Sequence, residues 1–76
     1  MVCAYVLIQT ALGRALEVVK EVSKVEGVEK ACAVTGAYDI VATVNVKELT
    51  DVADLVVNKI HCIEGVCNTQ TLICVF

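Results

Sequence analysis

Thr35-Gly36-Ala37-Tyr38-Asp39 is the segment of this chain that offers the most chemistry, because a glycine is followed within three residues by an aromatic ring and a carboxylate. A glycine lets a small molecule approach the backbone closely. A zwitterionic ligand such as an amino acid needs an acceptor for its ammonium group and donors for its carboxylate. Asp39 can supply the first, and backbone amides near Gly36 or threonine hydroxyls the second. On the residues alone the segment also reads as a plain hairpin, in which Gly36 makes the turn, Tyr38 fills the core and Asp39 caps the turn.

The other reactive side chains nominate no catalytic centre. His61 is the single histidine, and a general base needs a nucleophile or a metal beside it. Near the end of a helix its charged form would favour the helix dipole. Cys62 and Cys67 flank a Glu64-Gly65 turn, yet His61-Cys62-Cys67 is not a recognised ligand spacing. No metal site, cofactor or enzymatic activity is therefore expected. The five cysteines, Cys3, Cys32, Cys62, Cys67 and Cys74, include no CxxC pair and accompany no signal peptide. They read as reduced cytoplasmic thiols that pack as small hydrophobes.

Composition narrows the partners. The chain has 76 residues, enough for one domain over 1–76, and 58% of them are hydrophobic while only 4% are aromatic. So short a chain has too little interior for that many aliphatic side chains, so some must be covered by a bilayer or by another chain. The longest apolar run, Met1 to Ile8, falls far short of the roughly 20 residues of a spanning helix. Self-association is the expectation, without membrane contact. A net charge of −3 with no basic run argues against direct binding of nucleic acid.

The elements that must position these residues follow from periodicity. Val2 to Gln9 has strand composition, and Thr10 stands where it could cap a helix beginning at Ala11. That helix buries Ala15, Val18, Val19, Val22 and Val25 and ends at Gly27. Val28 to Thr35 and Tyr38 to Val46 are strands joined by so short a link, at Gly36-Ala37, that they must pair antiparallel. Asn45 with Glu48 suggests a capping box for a second helix, with Leu49, Val52, Ala53, Val56, Ile60 and Ile63 as its stripe and Gly65 as its stop. Val66 to Val75 is the last strand.

The two halves echo each other in Val25-Glu26-Gly27-Val28 and Ile63-Glu64-Gly65-Val66. The order β-α-β-β-α-β predicts an α+β, ferredoxin-like fold, a four-stranded antiparallel sheet with both helices on one face. Strand alternation puts Ala31, Ala33, Thr35, Val41, Thr43, Thr69, Thr71 and Ile73 on the other, open face, whose small apolar character suits packing against a second sheet.

The Gly36-x-Tyr38-Asp39 hairpin, with Gly65-Val66 entering a last strand that carries Thr69 and Thr71, resembles the RAM domain of Lrp/AsnC (feast/famine) transcription regulators across residues 2–75. The resemblance implies a homodimer, α/β-barrel-like, that assembles into a higher oligomer. It also implies an amino-acid effector held by Gly36, Tyr38 and Asp39, with Thr69 and Thr71 facing a neighbouring subunit. In that family a helix-turn-helix precedes the domain, and 76 residues leave no room for one. The expected role is an effector-binding and oligomerisation module that regulates transcription indirectly, either by binding an amino acid itself or by co-assembling with a full-length regulator. Where the family usually has proline before each helix-ending glycine, this chain has Glu26 and Glu64. A small ferredoxin-like enzyme or metal-handling protein is the alternative. The first loop, Thr10 to Arg14, lacks both the thiols of a Met-x-Cys-x-x-Cys metal chaperone and, beyond Gly13 and Arg14, the phosphate cradle of an acylphosphatase.

Overall fold

In the computed structural model of the protein, which describes residues 1–75, strand β1 (Val2–Thr10) leads to helix α1 (Ala15–Ser23) and a β2–β3 hairpin (Val28–Ala33, Ile40–Val46). Helix α2 (Leu49–Asp54) and strand β4 (Val66–Ile73) follow. All pairings are antiparallel and the sheet order is β2-β3-β1-β4, so the two central strands open the two halves of the chain and the edges close them. Among the described residues no helix is long and apolar enough to cross a membrane.

One face of the sheet makes the core. Ala4, Val6 and Ile8 of β1 and Ile40, Ala42 and Val44 of β3 are fully buried, as are Val18 and Val22 of α1. Val52, Leu55, Val56 and Ile60 complete the core from the second helical segment. Leu49 and Ala53, expected in that stripe, are exposed, and Leu55 takes the buried position instead. Leu55 is buried through a change of pitch: Leu55–Ile60 continues α2 as a π-helix, closed by the His61 amide on the Val56 carbonyl at 2.9 Å. Widening the turn brings Leu55, Val56 and Ile60 onto the sheet together.

The first helix starts later than expected. Thr10 stays in β1, and the Ala11 amide donates to the Gly65 carbonyl at 2.8 Å. With these groups committed to the end of the sheet, the helical turn can begin only at Arg14, which caps α1 without a side-chain bond. Arg14 instead reaches Glu17 at 2.9 Å and Glu64 at 3.5 Å. The capping box of α2 is reciprocal between Glu48 and Asp51, whereas Asn45 remains in β3 opposite Cys3.

The two helix-ending glycines knit the halves together. Both have left-handed backbones, with φ of 100° at Gly27 and 102° at Gly65. A Cβ at Gly27 would meet Leu55 Cδ1 at 2.8 Å, and one at Gly65 would meet Val18 Cγ2 at 2.9 Å. Each glycine thus packs on the helix of the other half. The Gly27 carbonyl likewise accepts from the Asn45 amide at 3.1 Å, the counterpart of the Ala11 to Gly65 bond.

Strand register corrects the composition of the open face. Partners directly opposite share a face, so Thr69, Thr71 and Ile73, opposite Ile8, Val6 and Ala4, lie on the helix side. So do Ala31 and Ala33, opposite Ala42 and Ile40, while Thr35 lies outside the strands. Val41 and Thr43 are on the open face as expected, joined by Cys3, Tyr5, Leu7, Cys32 and Leu72. A shift of register between Val28 and Lys30 inverts the parity of β2, since a slip of one residue exchanges the two faces. In β4, threonines and aliphatics occur on both parities, so only pairing assigns its sides. The middle of the open face is apolar, with Lys30, Asn45, Gln9, Asn68 and Gln70 around it, and its Tyr5 and Leu72 are 41% and 44% exposed.

Candidate functional site

The hairpin from Val34 to Asp39 folds over the end of β1. Its neck is closed by the Val34 amide on the Asp39 carbonyl at 2.8 Å, and the Asp39 amide donates to Ile8 at 2.9 Å. Gly36, with φ of 130°, sits at the exposed tip, where a Cβ would meet nothing within 4 Å. The tip therefore keeps free space beside the backbone.

Side chains fix the loop on both flanks. The Gln9 amide nitrogen donates to the Ala37 carbonyl at 3.1 Å, and the Tyr38 hydroxyl donates to Gln70 Oε1 at 2.9 Å. Gln70 lies opposite Leu7, on the open side, so Tyr38 is drawn across that side and is absent from the buried cluster. The reading in which Tyr38 fills the core is corrected accordingly. The Asp39 carboxylate accepts through Oδ2 from the Thr10 amide at 2.8 Å and from the Thr10 hydroxyl at 3.2 Å. Its other oxygen takes no side-chain hydrogen bond among the described residues.

The structure thus joins Gly36, Tyr38 and Asp39 in one loop but does not bring Thr69 and Thr71 to it. Thr69 Oγ1 lies 2.7 Å from His61 Nε2 on the helix side. Thr71 lines an apolar groove of about 260 Å³ with Val52, Val56 and Ile73. A polar groove of about 320 Å³ near Gly27, Asn45 and Lys59 contains none of the five expected residues. The Cys62 thiol turns back to the Asn58 carbonyl at 3.1 Å, and among the described residues no group of three or more His, Cys, Asp and Glu could hold a metal.

Sequence reasoning missed Thr10, Gln9 and Gln70. The last two are polar residues interrupting the apolar open-face parity of Tyr5, Leu7 and Leu72, which is a readable sign of a contact. Thr10 carried no comparable sign, because its partner lies 29 positions away.

With this geometry in hand, the sequence matches the model of the Lrp/AsnC ligand-binding domain over residues 3–75. The chain belongs to the Lrp/AsnC family. It is 31% identical over 72 residues to an HTH-type transcriptional regulator of Pyrococcus horikoshii, a match that takes in 95% of this chain and 46% of that protein. The Lrp/AsnC chain described here thus spans about half the length of the curated relatives it matches. Its structure superposes on a protein from Thermus thermophilus, TTHA0845, with a TM-score of 0.93 and 34% identity, covering 97% of this chain and 92% of that one. A transcriptional regulator of Neisseria meningitidis, NMB0573, solved in complex with L-Met, shares the fold. The TM-score there is 0.86 at 18% identity, over 99% of this chain and 50% of that one. The family resemblance and the ferredoxin-like β-α-β-β-α-β fold expected from the sequence are both observed, and the relatives are regulators of transcription.

Proposed function

We propose that this chain is a non-catalytic, cytoplasmic effector-binding and assembly module that takes up an amino acid at the Gly36–Asp39 hairpin and acts on transcription through a regulator that makes the DNA contact. The observation that carries the reading is the state of Asp39. Thr10 occupies one carboxylate oxygen and orients the group, which leaves the second oxygen to accept from an ammonium. Open space at Gly36 gives the ligand's carboxylate access to backbone donors. The L-Met bound by the Neisseria regulator supports the same ligand class on the same fold.

Assembly belongs to the proposal as well. A sheet face bearing Tyr5, Leu7, Val41 and Leu72 presents apolar area that a second sheet would cover. The hairpin lies at the rim of that face, so a site built there draws its remaining walls from neighbouring subunits of a ring of dimers. Thr69 and Thr71, on the helix side, would contribute through contacts between dimers. The DNA-binding part would come from a full-length regulator or from sequence outside these residues.

A thermal-shift screen of the twenty amino acids tests ligand uptake. A ligand specific for the folded chain at a hundredfold its Kd adds about 2.7 kcal/mol of stability. One or a few amino acids raising the Tm supports the reading, and a flat response to all of them removes it.

A further inference from the structure

Cys3 and Cys74 face each other across β1 and β4. The register that sets Ala4 opposite Ile73 puts Cys74 opposite Cys3, and the Cys74 amide donates to the Cys3 carbonyl at 2.9 Å. Directly opposite residues on antiparallel strands have Cα atoms about 4.5–5.5 Å apart, within the roughly 4.4–6.8 Å that a disulfide spans. Both side chains alternate with core residues and so project from the open face side by side. The other thiols stand elsewhere: Cys32 is opposite Val41, and Cys62 is tied to Asn58 on the helix side.

We propose that Cys3 and Cys74 are a redox-sensitive clasp, a dithiol that closes to an intrachain disulfide on meeting a low-molecular-weight disulfide and so ties the end of β4 to the start of β1. Cys74, one position beyond β4 and so at the margin of the face a second sheet would cover, is exposed and is the entry point. As thiolate it attacks one sulfur of the small disulfide, forming a mixed disulfide and releasing one small thiol. Cys3, after losing its proton, attacks the Cys74 sulfur and releases the second. Two protein thiols are oxidised, one small disulfide is reduced to two thiols, and no other reactant is needed. The hydrogen bond to Cys74, with desolvation and the nearby Glu29 charge, raises the Cys3 pKa. Closure therefore quickens as the solution becomes alkaline and more of Cys3 is thiolate.

The clasp encloses nearly the whole chain, so it removes much conformational freedom from the unfolded state and should raise the Tm by on the order of 10 °C or more. The full chain treated with oxidised glutathione should fall from five titratable thiols to three. An unreduced digest should join the peptides carrying Cys3 and Cys74, and dithiothreitol should reverse both changes. A Cys32→Ser/Cys62→Ser/Cys67→Ser variant should close in the same way, which removes interference from the remaining thiols. Five thiols persisting in both proteins, a stable glutathione adduct on Cys74, or crosslinks only between chains or to other cysteines would overturn the proposal.

Discussion

Asp39 and Thr10 are 29 residues apart in sequence, yet a single carboxylate oxygen of Asp39 accepts both the amide and the hydroxyl hydrogen of Thr10, at 2.8 and 3.2 Å. The hairpin is thereby docked onto the end of β1 by the residue proposed to meet an effector. Asp39→Asn should cost stability as well as affinity. Charge-assisted bonds contribute about 1.5–3 kcal/mol, reduced here to about 1–2 kcal/mol because the pair is only part-buried and solvent screens it. Thr10→Val removes the hydroxyl bond alone and should cost less than about 1 kcal/mol. Urea unfolding measures both. In calorimetric titration with an effector, Asp39→Asn should weaken binding about tenfold or more while Thr10→Val changes it little. Equal binding by all three proteins would take Asp39 out of the site.

A second expectation concerns the open face. Light scattering of the free chain should give at least a dimer, and Tyr5→Lys/Leu72→Lys should shift it toward the monomer, because two exposed apolar side chains become charges that resist burial. A wild-type chain that is monomeric at micromolar concentration would contradict the sheet-to-sheet assembly.

The order of elements was legible because apolar spacing changes cleanly between periods of two and 3.6, and Gly27 and Gly65 mark where both helices end. The hairpin motif was legible too. Its surroundings were not: Thr10 reads as a helix cap until its amide and hydroxyl are seen on Asp39. Thr69 and Thr71 read as open-face residues until pairing sets them opposite Ile8 and Val6. Local sequence carries neither register nor a contact spanning 29 residues, and a bulge or slip reverses every inference about sides beyond it. The π-helical Leu55–Ile60 likewise buries Leu55, which regular spacing leaves off the stripe.

Glycine substitutions should separate backbone strain from crowding. Gly13 has φ of 79° and open space for a Cβ, so Gly13→Ala should cost about 1 kcal/mol from the left-handed backbone alone. Gly27→Ala and Gly65→Ala meet Leu55 and Val18 at under 3 Å, adding overpacking of about 1–3 kcal/mol. Denaturant midpoints that fall equally for all three variants would count against the packing contribution.

The thiol chemistry predicts a pH dependence. Because contact with Cys74, burial and Glu29 raise the pKa of Cys3 in the folded chain, folding favours its protonated form. That contribution is fully present below the pKa of the unfolded thiol and is lost as the pH climbs through the folded value. Under reducing conditions the Tm of the wild type should therefore fall more steeply above about pH 8 to 9 than that of Cys3→Ser. Parallel curves would show that Cys3 contributes nothing to alkaline sensitivity.

The reciprocal seating of Gly27 on Leu55 and Gly65 on Val18 has a consequence for how the chain can be cut. Each half presents a helix that packs on the other half's glycine, and each donates a strand-end amide to the other's carbonyl. Peptides 1–35 and 36–76, produced separately, would each be left with an exposed helix face and an unfilled notch. Mixed together, they should recover the native circular dichroism as a two-piece complex, with the hairpin tip at Gly36 as the tolerated nick.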